Sequence, residues 1–67
     1  MNMKFSEYDV VEAICPLSSV VSAGTKGTVL MLFPGKEPHY EVEFMSNSGE
    51  SLAVLTVNEP NLKKYAT

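Results

Sequence analysis

The sequence predicts an all-β domain, a small SH3-like barrel built on an antiparallel meander. Three observations lead there. The apolar residues fall in four short blocks, each bounded by Gly, Pro, Asn or Ser, which is how short strands separated by turns are written. One block, Tyr40-Glu41-Val42-Glu43-Phe44, alternates strictly between apolar and acidic, as a strand with one buried face must. The longest segment between blocks, Cys15 to Lys26, mixes small and polar residues with a proline and is too irregular for an amphipathic helix.

The first block, Tyr8 to Ile14, predicts a strand over 8–14, and the excursion from Cys15 to Lys26 makes a long loop after it. The second, Gly27 to Phe33, predicts a strand over 27–33. It is stopped by Pro34-Gly35, a pair that fits the central positions of a type II turn because proline presets φ and glycine accepts positive φ. Gly27 is expected where the chain bends so tightly that a Cβ would clash. The third strand, over 40–45, puts Tyr40, Val42 and Phe44 on the core face, joined by Val29 of the second, with Glu41 and Glu43 on the other. A tight Asn47-Ser48-Gly49 turn returns the chain into a fourth strand over 51–57. After Val57, Asn58-Glu59-Pro60-Asn61-Leu62 reads as one 3₁₀ turn with Asn58 at its N-cap, leading into a short closing segment to Tyr65.

Composition narrows the physics. The chain has 67 residues, 45% of them hydrophobic, and a net charge of -3, a balance that folds rather than stays disordered. It is read as one domain over residues 1–67. A domain this small buries only about 60% of the surface its unfolded chain exposes. Its usual staples are absent, since a single cysteine makes no internal disulfide and one histidine beside it no structural zinc site. The longest uncharged stretch, Ala13 to Thr25, carries Pro16 and three serines and falls short of the roughly 20 apolar residues of a membrane span. Acids follow Lys4 within the first ten residues, where a signal peptide would be apolar. The expectation is a cytoplasmic protein with a reduced thiol.

Chemistry needs partnered groups, and few are available. Cys15 and His39 with Asp9 as orienter would be the only thiol–imidazole set, but nothing in their spacing supports it. Cys15 at a strand end reads as a small buried hydrophobe, and His39 between Pro38 and Tyr40 as a surface residue. No catalytic residue, cofactor or metal ligand is assigned. Gly24-Thr25-Lys26-Gly27 precedes a strand, whereas a phosphate-cradling loop has its own spacing and precedes a helix. Nucleic-acid binding draws on lysine and arginine; with five lysines, no arginine and a net negative charge, it is disfavoured. A KOW-type nucleic-acid barrel stays as the alternative if Lys26, Lys36, Lys63 and Lys64 converge.

The informative feature is an apolar surplus. Uniform alternation puts Val29, Met31 and Phe33 on one side of the second strand and Leu30 and Leu32 on the other, with Leu52 and Val54 opposite Ala53, Leu55 and Val57 in the fourth. One interior accepts only one face of each. Either Pro16-Leu17, Val20-Val21, Leu62 and Tyr65 cover the other set, or it forms a patch for a protein partner or a second copy. Leu30, Leu32 and Leu55 are the candidate patch, and Glu41 and Glu43, with the nearby Glu37 and Glu50, its acidic rim, which would suit a basic partner.

In order, Tyr8-Asp9-Val10-Val11, Gly24-Thr25-Lys26-Gly27-Thr28-Val29, Tyr40-Glu41-Val42-Glu43-Phe44 and Leu52-Ala53-Val54-Leu55-Thr56 resemble a bacterial family of short, uncharacterised proteins classed as a domain of unknown function. The resemblance implies a free-standing SH3-like barrel and, from the toxin-like neighbours of some members, an antitoxin or immunity role. The expectation is a non-enzymatic barrel that binds a basic or toxin-like protein.

Overall fold

The four apolar blocks form β1 (Val10–Ala13), β2 (Lys26–Phe33), β3 (His39–Met45) and β4 (Ser51–Asn58), followed by a 3₁₀ turn (Glu59–Asn61) and a closing strand β5 (Leu62–Lys64). This computed structural model describes residues 3–66. All pairings are antiparallel within one sheet of order β4-β3-β2-β1-β5. The predicted meander is therefore present, and β5 returns beside β1. The sheet is not closed: β4 and β5 are its two outer strands.

The core gathers on one face. Tyr40, Val42 and Phe44 are fully buried, as is Val29 opposite Val42, in agreement with the alternation. Val11, Ala13, Val57 and Leu62 join them from β1, β4 and β5. Two core residues come from outside the strands. Phe5 packs edge-on to Tyr40 at 5.3 Å between ring centroids, and Val21 of the long loop is completely buried. That loop turns inward through a Ser18–Val21 bridge, so Leu17 and Val21 cover the core while Val20 stays exposed.

Uniform alternation fails in β2. Val29 pairs with Val42, but Met31 pairs with Glu41 and Leu32 with Tyr40, so a bulge at Leu30 resets the phase. Cross-strand partners share a face, so Leu32 lies on the core side and Met31 and Phe33 on the outer side. An all-apolar run holds no signal that could place this reset. The bulge also bends the strand. A second irregularity, at Leu52 between the Phe44–Ala53 and Met45–Ser51 pairs, marks the start of β4. Ala53, Leu55 and Val57 then lie on the core side, with Leu55 packed against the core.

The clash expected at Gly27 is present, but Gly27 lies within β2 and not at a bend before it. A Cβ there would meet Val42 Cγ1 at 2.6 Å, Phe44 Cδ1 at 2.9 Å and the Glu43 carbonyl at 3.0 Å. The Asn47-Ser48-Gly49 turn is closed by Gly49 N–H donating to the Ser46 carbonyl at 2.9 Å, with Gly49 at φ +90°. The Pro34-Gly35 reading is corrected. Gly35 lies at φ +152°, far from the roughly +80° of a type II turn, and the connection is a wider bend over 34–38.

Strand one starts two residues later than expected. Ser6 N–H donates to Asp9 Oδ2 at 2.9 Å and Asp9 N–H to the Ser6 carbonyl at 3.1 Å, with Tyr8 at φ +69°; a side-chain-braced turn thus replaces the beginning of the strand. It ends at Ala13, one residue before Ile14. At the other end Asn58 occupies the N-cap position but makes no side-chain cap bond.

Candidate functional site

The outer side of β2-β3-β4 is the surface left over once the core is filled. Along β3 it carries His39, Glu41 and Glu43, with Phe33, Met31 and Thr28 opposite them on β2 and Asn58, Thr56 and Val54 on β4. Met31 is 52% exposed and Val54 50%. The face thus presents two carboxylates on its central strand, flanked by an exposed methionine and an exposed valine. Phe33 and His39 continue it, stacked at 4.9 Å with 15° between their planes, while His39 Nδ1 lies 3.0 Å from the Glu37 carbonyl.

The sequence-selected residues divide accordingly. Glu41 and Glu43 are on this face. Leu32 and Leu55 are on the core side, because the bulge at Leu30 moved the phase of β2 and because Leu55 pairs with Val42. Leu30 occupies the bulge itself, half-buried. The apolar members of the outer face are instead Met31, Phe33 and Val54, and the acids run through its middle rather than along its rim. The loop and C-terminal residues considered as cover belong elsewhere: Leu17, Val21 and Leu62 fill the core, while Pro16, Val20 and Tyr65 are exposed.

Charge is distributed unevenly. Lys63 pairs with Glu12 at 3.9 Å and Lys64 with Asp9 at 3.1 Å. Asp9 is held below the usual carboxylate range by the Ser6 N–H and then by Lys64. Lys26 lies over the Tyr65 ring at 5.3 Å and opposite Glu12 in the β1–β2 ladder. Lys26 of β2 and Lys63 of β5 therefore flank Glu12 on one side of the sheet, Lys64 lies opposite Val11 on the other and reaches Asp9, and Lys36 lies on the β2–β3 connection. Among the described residues, no ion pair involves Glu41 or Glu43.

A buried polar group escaped the sequence. The Tyr40 hydroxyl accepts from Phe5 N–H at 3.1 Å and donates to the Glu59 carboxylate, which also accepts from Lys4 N–H at 3.1 Å. Burial pushes the Tyr40 hydroxyl above its ordinary value, and its bond holds Glu59 below the carboxylate norm. This joins the N-terminal arm, β3 and the 3₁₀ turn. Nothing in local spacing links positions so far apart; only an aromatic with a polar handle in a core strand hinted at a partner.

The other groups weighed for chemistry have separate partners. Cys15 is half-buried with Sγ 3.8 Å from Asn61 Oδ1. The open depressions are a polar one of about 380 Å³ between Ser22–Lys26 and Met45–Asn47 and one of about 330 Å³ between Lys36–Pro38 and Asn58–Pro60. In the first, Ser22 and Thr25 hydroxyls are 3.3 Å apart and the Ser46 hydroxyl is 3.0 Å from that of Ser48, so these groups serve their own turns. Among the described residues there is no cluster of His, Cys, Asp or Glu able to hold a metal ion, and no helix long and apolar enough to cross a membrane.

Comparison with known proteins matches residues 7–64 to a family model described as a domain of unknown function. Neither the curated proteins nor the solved structures contain a match. With its whole sheet inside the matched segment, the chain belongs to the DUF4926 family.

Proposed function

We propose that this protein is a non-catalytic binding module whose outer β2-β3-β4 face holds a basic protein partner. The observation that carries the reading is Glu41 and Glu43 without an ion pair among the described residues, set between exposed Met31 and Val54. Carboxylates in that position gain a cationic partner and steer its approach, and the apolar neighbours supply contact area. Its most concrete form is an antitoxin or immunity-type inhibitor in a bacterial cytoplasm, a form drawn from the family resemblance. The fold belongs to the same reading. The order β4-β3-β2-β1-β5 and the bulge in β2 support a partly open SH3-like barrel.

A nucleic-acid-binding barrel is the rival, favoured by Lys26 and Lys63 on either side of Glu12 with Tyr65 beside Lys26. One experiment separates them. The Glu41→Lys, Glu43→Lys variant changes the net charge by four, from -3 to +1. Titrated against a basic protein retained from native lysate, it should associate about tenfold more slowly at low salt, with the difference shrinking as salt rises. Tighter binding to a generic RNA with unchanged protein capture would overturn the reading.

A further inference from the structure

The outer strands of the sheet are built very differently. β5 is three residues long and carries Lys63 and Lys64, guards of the kind that discourage a further strand. β4 is eight residues long, Ser51–Asn58, with no charge and no proline. Among the described residues, no backbone hydrogen bond outside the β3 ladder involves it. Its only guard is the irregularity at Leu52, at its very start.

The phase of its free groups follows from one bond. Glu59 N–H donates to the Pro38 carbonyl at 3.0 Å, so residue 59 points toward β3. Groups alternate along an antiparallel ladder, and the register continues regularly from His39–Asn58 to Phe44–Ala53. Ala53, Leu55 and Val57 therefore bond to β3, while Val54, Thr56 and Asn58 turn their N–H and C=O groups outward.

We propose that β4 pairs antiparallel with β4 of a second copy, about a two-fold axis at Leu55, to form one continuous ten-stranded sheet. An axis through a residue, and not between two, sets outward groups against outward groups; at Leu55 it bonds Val54 to Thr56 of the other copy in both directions and centres the pairing on the uncharged strand. The opposed side chains are then Leu55 with Leu55, Ala53 with Val57 and Val54 with Thr56, none of them charged. Glu50 and Glu59, which flank the strand, do not face each other. The nearest acids of the outer face, Glu41 and Glu43, lie on β3. Three strand spacings, about 14 Å, separate them from their counterparts across the seam, beyond the ~8 Å Debye length at physiological salt. The charge that would repel two copies is thus screened at the one edge that is chemically blank. Pairing uses up β4 on both copies and leaves the lysine-guarded β5 edges outside, so assembly stops at two. This surface is the backbone edge of β4 and does not rest on the outer-face reading, although Val54 and Thr56 border both.

Sedimentation of the full chain across a concentration series, with amide hydrogen exchange at each concentration, tests the proposal. The expected result is a monomer of 7.3 kDa passing to a species of twice that mass, while the Val54 and Thr56 amides gain protection in step. Thr56→Pro removes an outward N–H and no β3 bond, so a folded variant should dissociate about tenfold more readily. Thr56→Lys, which keeps the N–H, should weaken pairing by charge if the proline variant fails to fold. Glu41→Lys, Glu43→Lys should still dimerise. A monomer at every concentration, including one whose β4 is protected only by a foreign strand, would overturn the proposal. So would a dimer whose Val54 and Thr56 amides exchange as in the monomer.

Discussion

The two faces of β3 receive the same backbone and opposite chemistry. On one side Tyr40, Val42 and Phe44 are fully buried against Val29, Val57 and Phe5. On the other, one residue along, Glu41 and Glu43 sit between half-exposed neighbours. The inner face is where stability is concentrated, because a domain of this size has little else to draw on. The outer face is loosely packed and so can vary in chemistry at small cost to the fold. Substitutions on the two faces should therefore separate stability from binding.

The largest effect should come from Phe44→Ala. Removing a fully buried ring beside Gly27 should cost roughly 3–5 kcal/mol, a large share of the about 5–15 kcal/mol that folded proteins possess. Urea denaturation measures it, and a midpoint within a few tenths molar of wild type would remove Phe44 from the core. Gly27→Val attacks the same face from the backbone side. With three atoms within 3.0 Å of the added Cβ, strand separation between β2 and β3 is forced, and a loss of about 1–3 kcal/mol or more is expected.

Tyr40→Phe sharpens the comparison by keeping the ring and deleting its polar handle. Phe5 N–H then loses its acceptor, at about 1–3 kcal/mol. The substitution also changes the response to acid. The folded-state pKa of Glu59 is lowered by the Tyr40 hydroxyl, so its contribution is full above the unfolded carboxylate value, about 4.3, and lost as pH falls through the folded value. Denaturation at pH 7 and pH 3 should give a smaller acid-induced loss for the variant than for wild type. An equal loss would mean that Glu59 does not feel the hydroxyl.

The smallest stability change should come from Glu41→Lys, Glu43→Lys. Both side chains are on the outer side of β3, and surface substitutions of this type usually stay within about 0.5 kcal/mol each. A melting temperature close to wild type with altered partner binding is expected; a collapse of the fold would erase the distinction between the faces.

How much of this was legible depends on how each residue is chosen. Tyr40, Val42 and Phe44 were readable because Glu41 and Glu43 interrupt them, and an acid between apolar residues states which face is buried. The Asn47-Ser48-Gly49 turn was readable because local backbone chemistry imposes it, whereas the crowding that demands Gly27 comes from Val42, Phe44 and the Glu43 carbonyl across the ladder. Val29-Leu30-Met31-Leu32-Phe33 contains no such contrast, so only pairing with Tyr40 and Glu41 decided that Leu32 turns inward and Met31 outward. That one reset moved Leu32 out of the candidate patch and put Met31 and Phe33 in its place.

By itself, then, the sequence determined a four-strand meander and the buried face of β3, since period-two alternation and turn residues act over a few positions, while the place of β5 beside β1 came from contacts between distant segments. Tertiary structure alone decided the rest. Phe5 and Val21 enter the core, Tyr40 finds Glu59, and β4 is left as a blank edge because contacts between distant segments choose among faces that local pattern leaves equivalent. Where every residue of a strand is apolar, burial free energy is nearly the same for either side, and the partner across the ladder makes the choice.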